Sequence, residues 1–504
     1  MDQNRSQTLT ARPRPTPRSV PGPQHWFGRE TIIKNVRRLI WLYFALLICE
    51  GALRKWVVPQ LSDPLLIIRD PIVILIYLLA IRARVFPRSN FIYSLAIITA
   101  ISWVSGILVL LPYLSIKYAV LVTGFGFRSN FLHLPLIFVI PAVFTIKDVK
   151  RMGWWMILGM IPMAVLMAYQ FHAAPDSFIN RTVGLGEEQQ IHTGGGKIRP
   201  PGTFSFISGA IFYLTITTAF LLHAVLTRLR YKSWILLVSG AGLIVGVAVS
   251  GSRGAVISVG LVVATLAFIL VIRPDSVPKF GRILLLVLVM GWALSHVPIL
   301  RQGVGIISDR FTESAQEAET SIAGGLLSRV FEGYFEGFAV IDRVPLFGYG
   351  LGIGTNGGAH FLSGRAGFLL AENENSRVLL ESGSVLGLAF IMWRLALTAR
   401  IFYLAFLQLR LGRILPILLF SSGFFALLNG PFGQPTNVGF AVLLMGLCLA
   451  AANPESDADI LASAESAALL KPTTPTKLPA RSAFAARLHE TSDARDHTND
   501  SADR

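Results

Sequence analysis

The sequence predicts an all-α, polytopic integral membrane protein, and three observations carry that prediction. The composition is strongly apolar: of 504 residues, 53% are hydrophobic and only 15% charged. Apolar runs long enough to cross a bilayer recur from Val36 to Ala452. The lysines and arginines between those runs fall in every second short connection, as expected when positive charge is retained on the cytoplasmic side.

A span needs roughly twenty mainly apolar residues, and about twelve runs meet that requirement. They are 36–53, 65–81, 91–112, 117–144, 153–171, 204–226, 234–250, 255–272, 283–300, 384–405, 413–429 and 436–452. The run 117–144 is long for one span and is broken by GFGFRSN at 124–130, so it reads as a single interrupted helix. The basic connections are Arg82/Arg84/Arg88, Lys147/Lys150/Arg151, Arg228/Arg230/Lys232, Arg273/Lys279/Arg282 and Arg400/Arg410/Arg413. With Arg29, Lys34, Arg37 and Arg38 ahead of the first run, they place both termini in the cytoplasm. Three polar regions then face outward: 172–203, the turn SGSRGA at 250–255, and the long loop 301–383.

Three domains follow. Residues 1–35 are a basic cytoplasmic tail, 36–452 are the membrane domain, and 453–504 are a second cytoplasmic tail. The Pro, Arg and Ser of the first tail and the Ala, Ser, Asp and Thr of the last give neither enough apolar surface to fold alone. The first apolar run starts too far in to be a cleaved signal peptide. The net charge of +16 follows from the cytoplasmic bias and the tails, so no nucleic-acid partner is implied. Cys49 and Cys448 both fall in predicted spans, which excludes an external disulfide framework.

The remaining charges gather toward the outer ends of the spans. Glu50, Arg54 and Lys55 lie in CEGALRKW at the exit of the first run, and Arg69 and Asp70 in IIRDP near the start of the second. Adjacent Arg69 and Asp70 point to different faces of a helix and cannot simply pair. They read either as structural pairs, such as Glu50 with Arg69, or as the floor of an external polar cavity. GGGKIRPPGTF, at 194–204, is a shaped loop that presents Lys197 and Arg199 and lacks the spacing of a nucleotide-binding P-loop. The loop 301–383 is far longer than a connection requires. Within it, Leu327, Val330, Phe331, Tyr334, Phe335 and Phe338 recur at helical spacing, which predicts an amphipathic helix on the outer surface. Arg253 in SGSRGA would cost about 2.5–3.5 kcal/mol at a bilayer centre, so it belongs at the surface or in a wet cavity.

SGSRGA at 250–255, the Arg329-bearing segment followed by PLFGYGLG at 345–352, and the series of Asn373, Glu381 and Gly383 through Leu388 resemble the signature segments of the O-antigen ligase/polymerase superfamily. CEGALRKW followed by RDP further resembles the opening of the bacterial exopolysaccharide polymerase-like members. The resemblance covers 36–452. It implies a lipid-dependent glycosyltransferase architecture of the GT-C-like kind, in the bacterial inner membrane. It also implies a polyprenyl-diphosphate-linked oligosaccharide donor, a glycan acceptor, and partners among chain-length regulators and flippases.

That chemistry assigns roles. A departing lipid diphosphate develops negative charge, which arginine grips bidentately. Arg253 and Arg329 are the first candidates, with Arg199, Arg128, Arg69 and Asn373 as further substrate-binding residues. The attacking hydroxyl needs a base. Where the family commonly has a histidine before the motif asparagine, this sequence has Glu372, and Glu374 is a second acid within reach; His360 is a weaker substitute. No acid set has metal-ligand spacing, so a metal-independent, inverting displacement without a cofactor is expected. The open alternatives are an O-antigen ligase, which differs only in acceptor, and a polysaccharide transporter. Against the latter stand the lack of an internal repeat and the one-sided polar load.

Overall fold

The computed structural model describes residues 23–183, 196–227, 229, 231–272, 305, 334–364, 370–371 and 373–453. Among these the regular structure is helical and no strand occurs. Six helices are long and apolar enough to cross a membrane: Pro64–Arg82, Asn90–Leu110, Ile146–His172, Ile207–Leu226, Glu374–Arg410 and Pro435–Ala452. A seventh is obtained if Ile116–Leu132 and Leu136–Val143, bent by 40° at their break, count as one. Ser233–Val249, Arg253–Ile269 and Leu415–Asn429 are shorter apolar helices. The apolar run 283–300, the tail 454–504 and, within the loop 301–383, residues 301–304, 306–333, 365–369 and 372 lie outside the described residues, and of the amphipathic segment only 334–341 is described, helical over 334–339.

Helix α1 (Pro23–Ala52) begins inside the stretch that composition assigns to the basic tail. It is followed by α2 (Arg69–Arg82) and by α3 (Asn90–Leu110), whose first turn is capped by Ser89 accepting from the Ile92 amide at 3.3 Å. On α3, Ile97, Ile101, Val104 and Leu108 form an exposed stripe at helical spacing, while Leu95, Ser102, Gly106 and Leu110 are buried. Such an outward apolar stripe suits lipid contact.

Next come α4 (Ile116–Phe127), a π-turn at Arg128–Leu132, and α5 (Leu136–Val143). The interruption read from GFGFRSN thus falls at the π-turn and the following Pro135, which lacks an amide for the helical ladder. Helix α6 (Ile146–His172) opens with a capping box between Thr145 and Asp148. Helices α7 (Ile207–Leu226), α8 (Ser233–Val249) and α9 (Arg253–Ile272) complete the first part of the bundle.

The later elements are α10 (Asn356–Ser363), α11 (Glu374–Arg410), α12 (Leu415–Asn429) and α13 (Pro435–Ala452). Helices α7 and α13 are buried on nearly every side, as helices apolar all round should be.

Helix α11 is not straight. Gly383 has φ 88° and ψ 168°, and Glu374 Oε1 lies 3.5 Å from Arg394 Nη1. In a continuous helix those two residues would be about 30 Å apart. The chain therefore reverses at Gly383, and the arm 374–382 packs back along the helix that follows, with Gly387 against the backbone of Val378 and Leu379. The turn Gly348–Gly350 clamps the reversal, the amides of Tyr349 and Gly350 donating to Leu380 and Glu381 carbonyls at 2.8 and 3.2 Å. A side chain at 383 would meet the Leu346 carbonyl in a backbone region only glycine adopts readily. Gly383→Ala is expected to lower stability by about 2 kcal/mol or more, measured by chemical denaturation in detergent.

Candidate functional site

Many of the buried polar side chains lie around the N-terminal end of α7 and the ends of its neighbours, while others, such as His223 and Thr398, lie elsewhere in the bundle. Helix α1 leaves the bundle through a π-turn, Leu53–Val57, and the strap 196–206 lies over that exit. A side chain at Gly51 would overlap the backbone of Thr203–Ser205, so the glycine permits the contact. Thr203 Oγ1 donates to the Ile48 carbonyl at 2.7 Å, and the Gly202 amide donates to Gln170 Oε1 at 2.8 Å. Arg54 donates to the Ser62 carbonyl at 2.8 Å and to Ser205 Oγ at 3.3 Å, and lies 3.7 Å from Glu50. Lys55 Nζ donates to the Gly202 carbonyl at 2.8 Å.

Two ion networks flank this exit. In the first, Arg69 donates to Glu50 at 2.9 Å, to the Pro435 carbonyl at 2.8 Å and to Tyr43 Oη at 3.5 Å, joining α1, α2 and α13. Asp70 turns the other way. It pairs with Arg128 and with His133 Nε2, the latter at 3.0 Å, while His133 Nδ1 and Tyr43 Oη share a hydrogen bond of 3.1 Å. In the second, Arg377 donates to Glu374 at 2.8 and 2.9 Å, to Glu381 at 2.7 Å and to Asn130 Oδ1 at 2.7 Å. Arg394 donates to the Leu427 and Gly430 carbonyls at 2.7 and 2.9 Å and sits 4.0 Å from the Phe432 ring centroid. Arg128 and Asn130 share one π-turn, so that turn touches both networks.

The residues singled out in the sequence are dispersed among these features. Arg253 is the first residue of α9, half-buried between buried Ser252 and Ala255. A side-chain carbon at Gly254 would lie 3.7 Å from Ile211 of α7, so the SGSRGA turn packs on the same helix end as the strap. Arg199 is half-buried on the strap, with a buried Nε that has no hydrogen-bond acceptor. Arg69 and Arg128 are each held by a carboxylate. Asn373 caps α11, accepting from the amides of Asn375 and Ser376 at 2.9 and 3.3 Å. Both carboxylate oxygens of Glu374 are occupied by guanidinium donors, which suits an anchor better than a proton acceptor. His360 lies on α10. Arg329 and Glu372 fall outside the described residues.

Sequence reasoning passed over Arg377, Arg394, Asn130, His133 and the turn 430–435. The spacing of Glu374, Arg377 and Glu381 was a legible helical signal. The rest depends on contacts between segments far apart in the chain. No family model matches this chain, and no curated protein sequence matches it. Among the described residues no three His, Cys, Asp or Glu side chains converge as metal ligands would.

Lys55 differs from the other buried cations. It lies past the apolar run of α1, is 1% exposed, and has no acidic partner among the described residues. Burial without a counter-ion pulls its ammonium down to about 7. Because the folded value is depressed below the ordinary 10.5, the associated stability is complete above about pH 10.5 and is lost as pH falls through about 7. Unfolding measured across pH 6–10 should show stability rising with pH, and Lys55→Gln should flatten that rise. In the second network, Arg377→Met leaves Glu374 and Glu381 buried without their main cation. It should cost about 3–5 kcal/mol by denaturation in detergent, with Lys in place of Met recovering part of the loss.

Proposed function

We propose that the chain is a membrane glycosyltransferase. It polymerises polyprenyl-diphosphate-linked oligosaccharide repeats at the outer face of a bacterial inner membrane. In this reading the bundle has about twelve spans in a GT-C-like architecture, both termini are cytoplasmic, and the end bearing the strap and the SGSRGA turn faces outward. One observation carries the reading: cationic side chains and helix N-termini gather at one end of an otherwise apolar bundle. Arg54, Lys55, Arg199 and Arg253 lie on segments that meet around the start of α7. Helices α7, α9 and α13 all begin there, α13 linked to α7 through Gln434 and Ser208 at 3.4 Å. Aligned helix N-termini and arginines together stabilise phosphate charge.

The donor places its diphosphate against this end, with Arg253 as the principal grip. The acceptor hydroxyl attacks the anomeric carbon from the opposite face. The bond from that carbon to the diphosphate oxygen breaks, and its electron pair leaves with the lipid diphosphate. The hydroxyl proton passes to a base, for which Glu372 is the choice, since Glu374 is committed to Arg377 and Arg394. A single displacement inverts the anomeric configuration. Arg69 and Arg128 then shape the floor beneath the donor, each engaged by its own carboxylate. Arg329 and Asn373 bind glycan or phosphate from the long external loop.

The test is reconstitution of the purified chain with a synthetic polyprenyl-diphosphate oligosaccharide, without added metal, followed by gel and mass analysis. A ladder of lipid-linked repeats is the expected product. Arg253→Ala should lower turnover by roughly 100-fold or more without loss of folded protein, and Glu372→Gln by a similar factor. Product formed only when lipid A core is supplied would make the chain a ligase instead. A fully active Arg253→Ala protein would overturn the assignment of that residue.

A further inference from the structure

The motif CEGALRKW is only half accounted for by the ion networks. Glu50 is shared between Arg54 and Arg69, so one carboxylate already serves two guanidiniums. Lys55 follows with no carboxylate of its own among the described residues. Its described contacts are the Gly202 carbonyl at 2.8 Å and the face of Trp56, 4.5 Å from the ring centroid, and neither carries a negative charge. Charged lysine has three donors, and one of them is used.

Two further donors on the same segments are left over. Trp56 Nε1 is buried and has no acceptor, and so is Arg199 Nε. Arg199 is three residues from the strap carbonyl that holds Lys55, within about 10 Å even along a fully extended backbone. The strap ends at Phe206, the residue before α7, and the Phe206 side chain caps none of the first amides of that helix. Buried donors and buried positive charge are normally matched by acceptors and counter-ions. Here two buried N–H donors lack acceptors and a buried amine lacks a carboxylate among the described residues.

We propose that Lys55, Trp56 and Arg199 form a buried oxyanion-binding site between the exit of α1 and the strap. Its ligand is a phosphate or carboxylate group. Naming a lipid-carrier phosphate or an acidic sugar as the natural source rests on the transferase reading above; the site itself does not. Residues 199–206 of the strap belong to no helix, so they can be displaced without breaking one. A site closed to bulk water strengthens the attraction between a bound anion and Lys55. Glu50, Arg54, Arg69, Asp70, Lys197 and Arg199 are the charged groups on the described elements packed around it. Because burial pulls Lys55 down to about 7, anion binding above that pH must draw a proton onto the Lys55 amine, and affinity falls as pH rises above about 7.

The experiment is calorimetric titration of the full chain in detergent with three probes: inorganic pyrophosphate, geranyl diphosphate and glucuronate. The expected result is saturable binding of at least one probe, weaker at pH 9 than at pH 6. Lys55→Gln keeps a donor to the Gly202 carbonyl and should weaken binding about tenfold or more. Trp56→Phe keeps an aromatic face beside Lys55 while removing the indole N–H and its ring, and should weaken it several-fold. Binding of both diphosphates assigns the site to the lipid carrier, and binding of glucuronate alone assigns it to an acidic glycan. No binding by any probe, or binding unchanged in both variants while they remain folded, overturns the site. Turnover in the reconstituted assay is scored separately, so a chain that binds the anion but transfers no sugar fails the transferase reading and keeps this one.

Discussion

A guanidinium in a low-dielectric bundle must find acceptors for its donors, and the architecture at one end of this protein is organised by that requirement. Arg69, Arg377 and Arg394 are almost fully buried, and each reaches a carboxylate together with carbonyl or side-chain oxygens from other segments. Removing a partner would leave a buried charge uncompensated, which costs more than the intact pair contributes. The pairs therefore act less as a reserve of stability than as a specification of which segments lie together. Arg69 brings the start of α13 to the end of α1, and Arg394 brings the turn after α12 to the reversed arm of α11. Neither contact could be made by apolar side chains with the same directional demand.

Against that background the exit of α1 stands apart. The two networks on either side of it have acids, and its own lysine does not. A buried amine held by a carbonyl and an indole face is readily neutralised, and a nearby negative charge would favour its cationic form. The same end of the bundle thus contains charges that are locked and a charge that is conditional. Locked pairs fix geometry; a conditional charge can respond to a ligand.

Much of this was legible in the sequence, and the limits have physical causes. The helical class, and the six or seven apolar runs that coincide with helices long enough to cross a membrane, follow from apolar run length, which is local. The opposed directions of Arg69 and Asp70 follow from helical spacing, and the pairing of Glu50 with Arg69 was one of two readings that the residues allowed. The break in 117–144 was signalled by GFGFRSN, although its position depends on the π-turn and Pro135. The reversal at Gly383 was hidden, because ENSRVLLE is helical in pattern and only Ser382-Gly383-Ser384, with no proline, separates it from the apolar run. Only the contacts of Gly348 and Leu346 with residues 381–383 make a left-handed glycine there understandable. Arg128 illustrates the converse. Its need for a partner was evident from the interrupted helix, but whether Asp70 or a ligand supplied it could not be read from position alone.

The reversed arm bears directly on how a catalytic group could be held. Its first residues are fixed twice over: Asn373 caps the arm, and Glu374 is gripped by Arg377 from within the arm and by Arg394 from the helix beyond the turn. The chain immediately after Glu372 is therefore anchored on a rigid element instead of trailing from a long loop. Catalytic side chains gain most from such support when the supporting residues have their own partners satisfied. Under the transferase reading proposed above, Glu374 and Arg394 act on the chemistry without touching substrate, by holding the start of the arm in place.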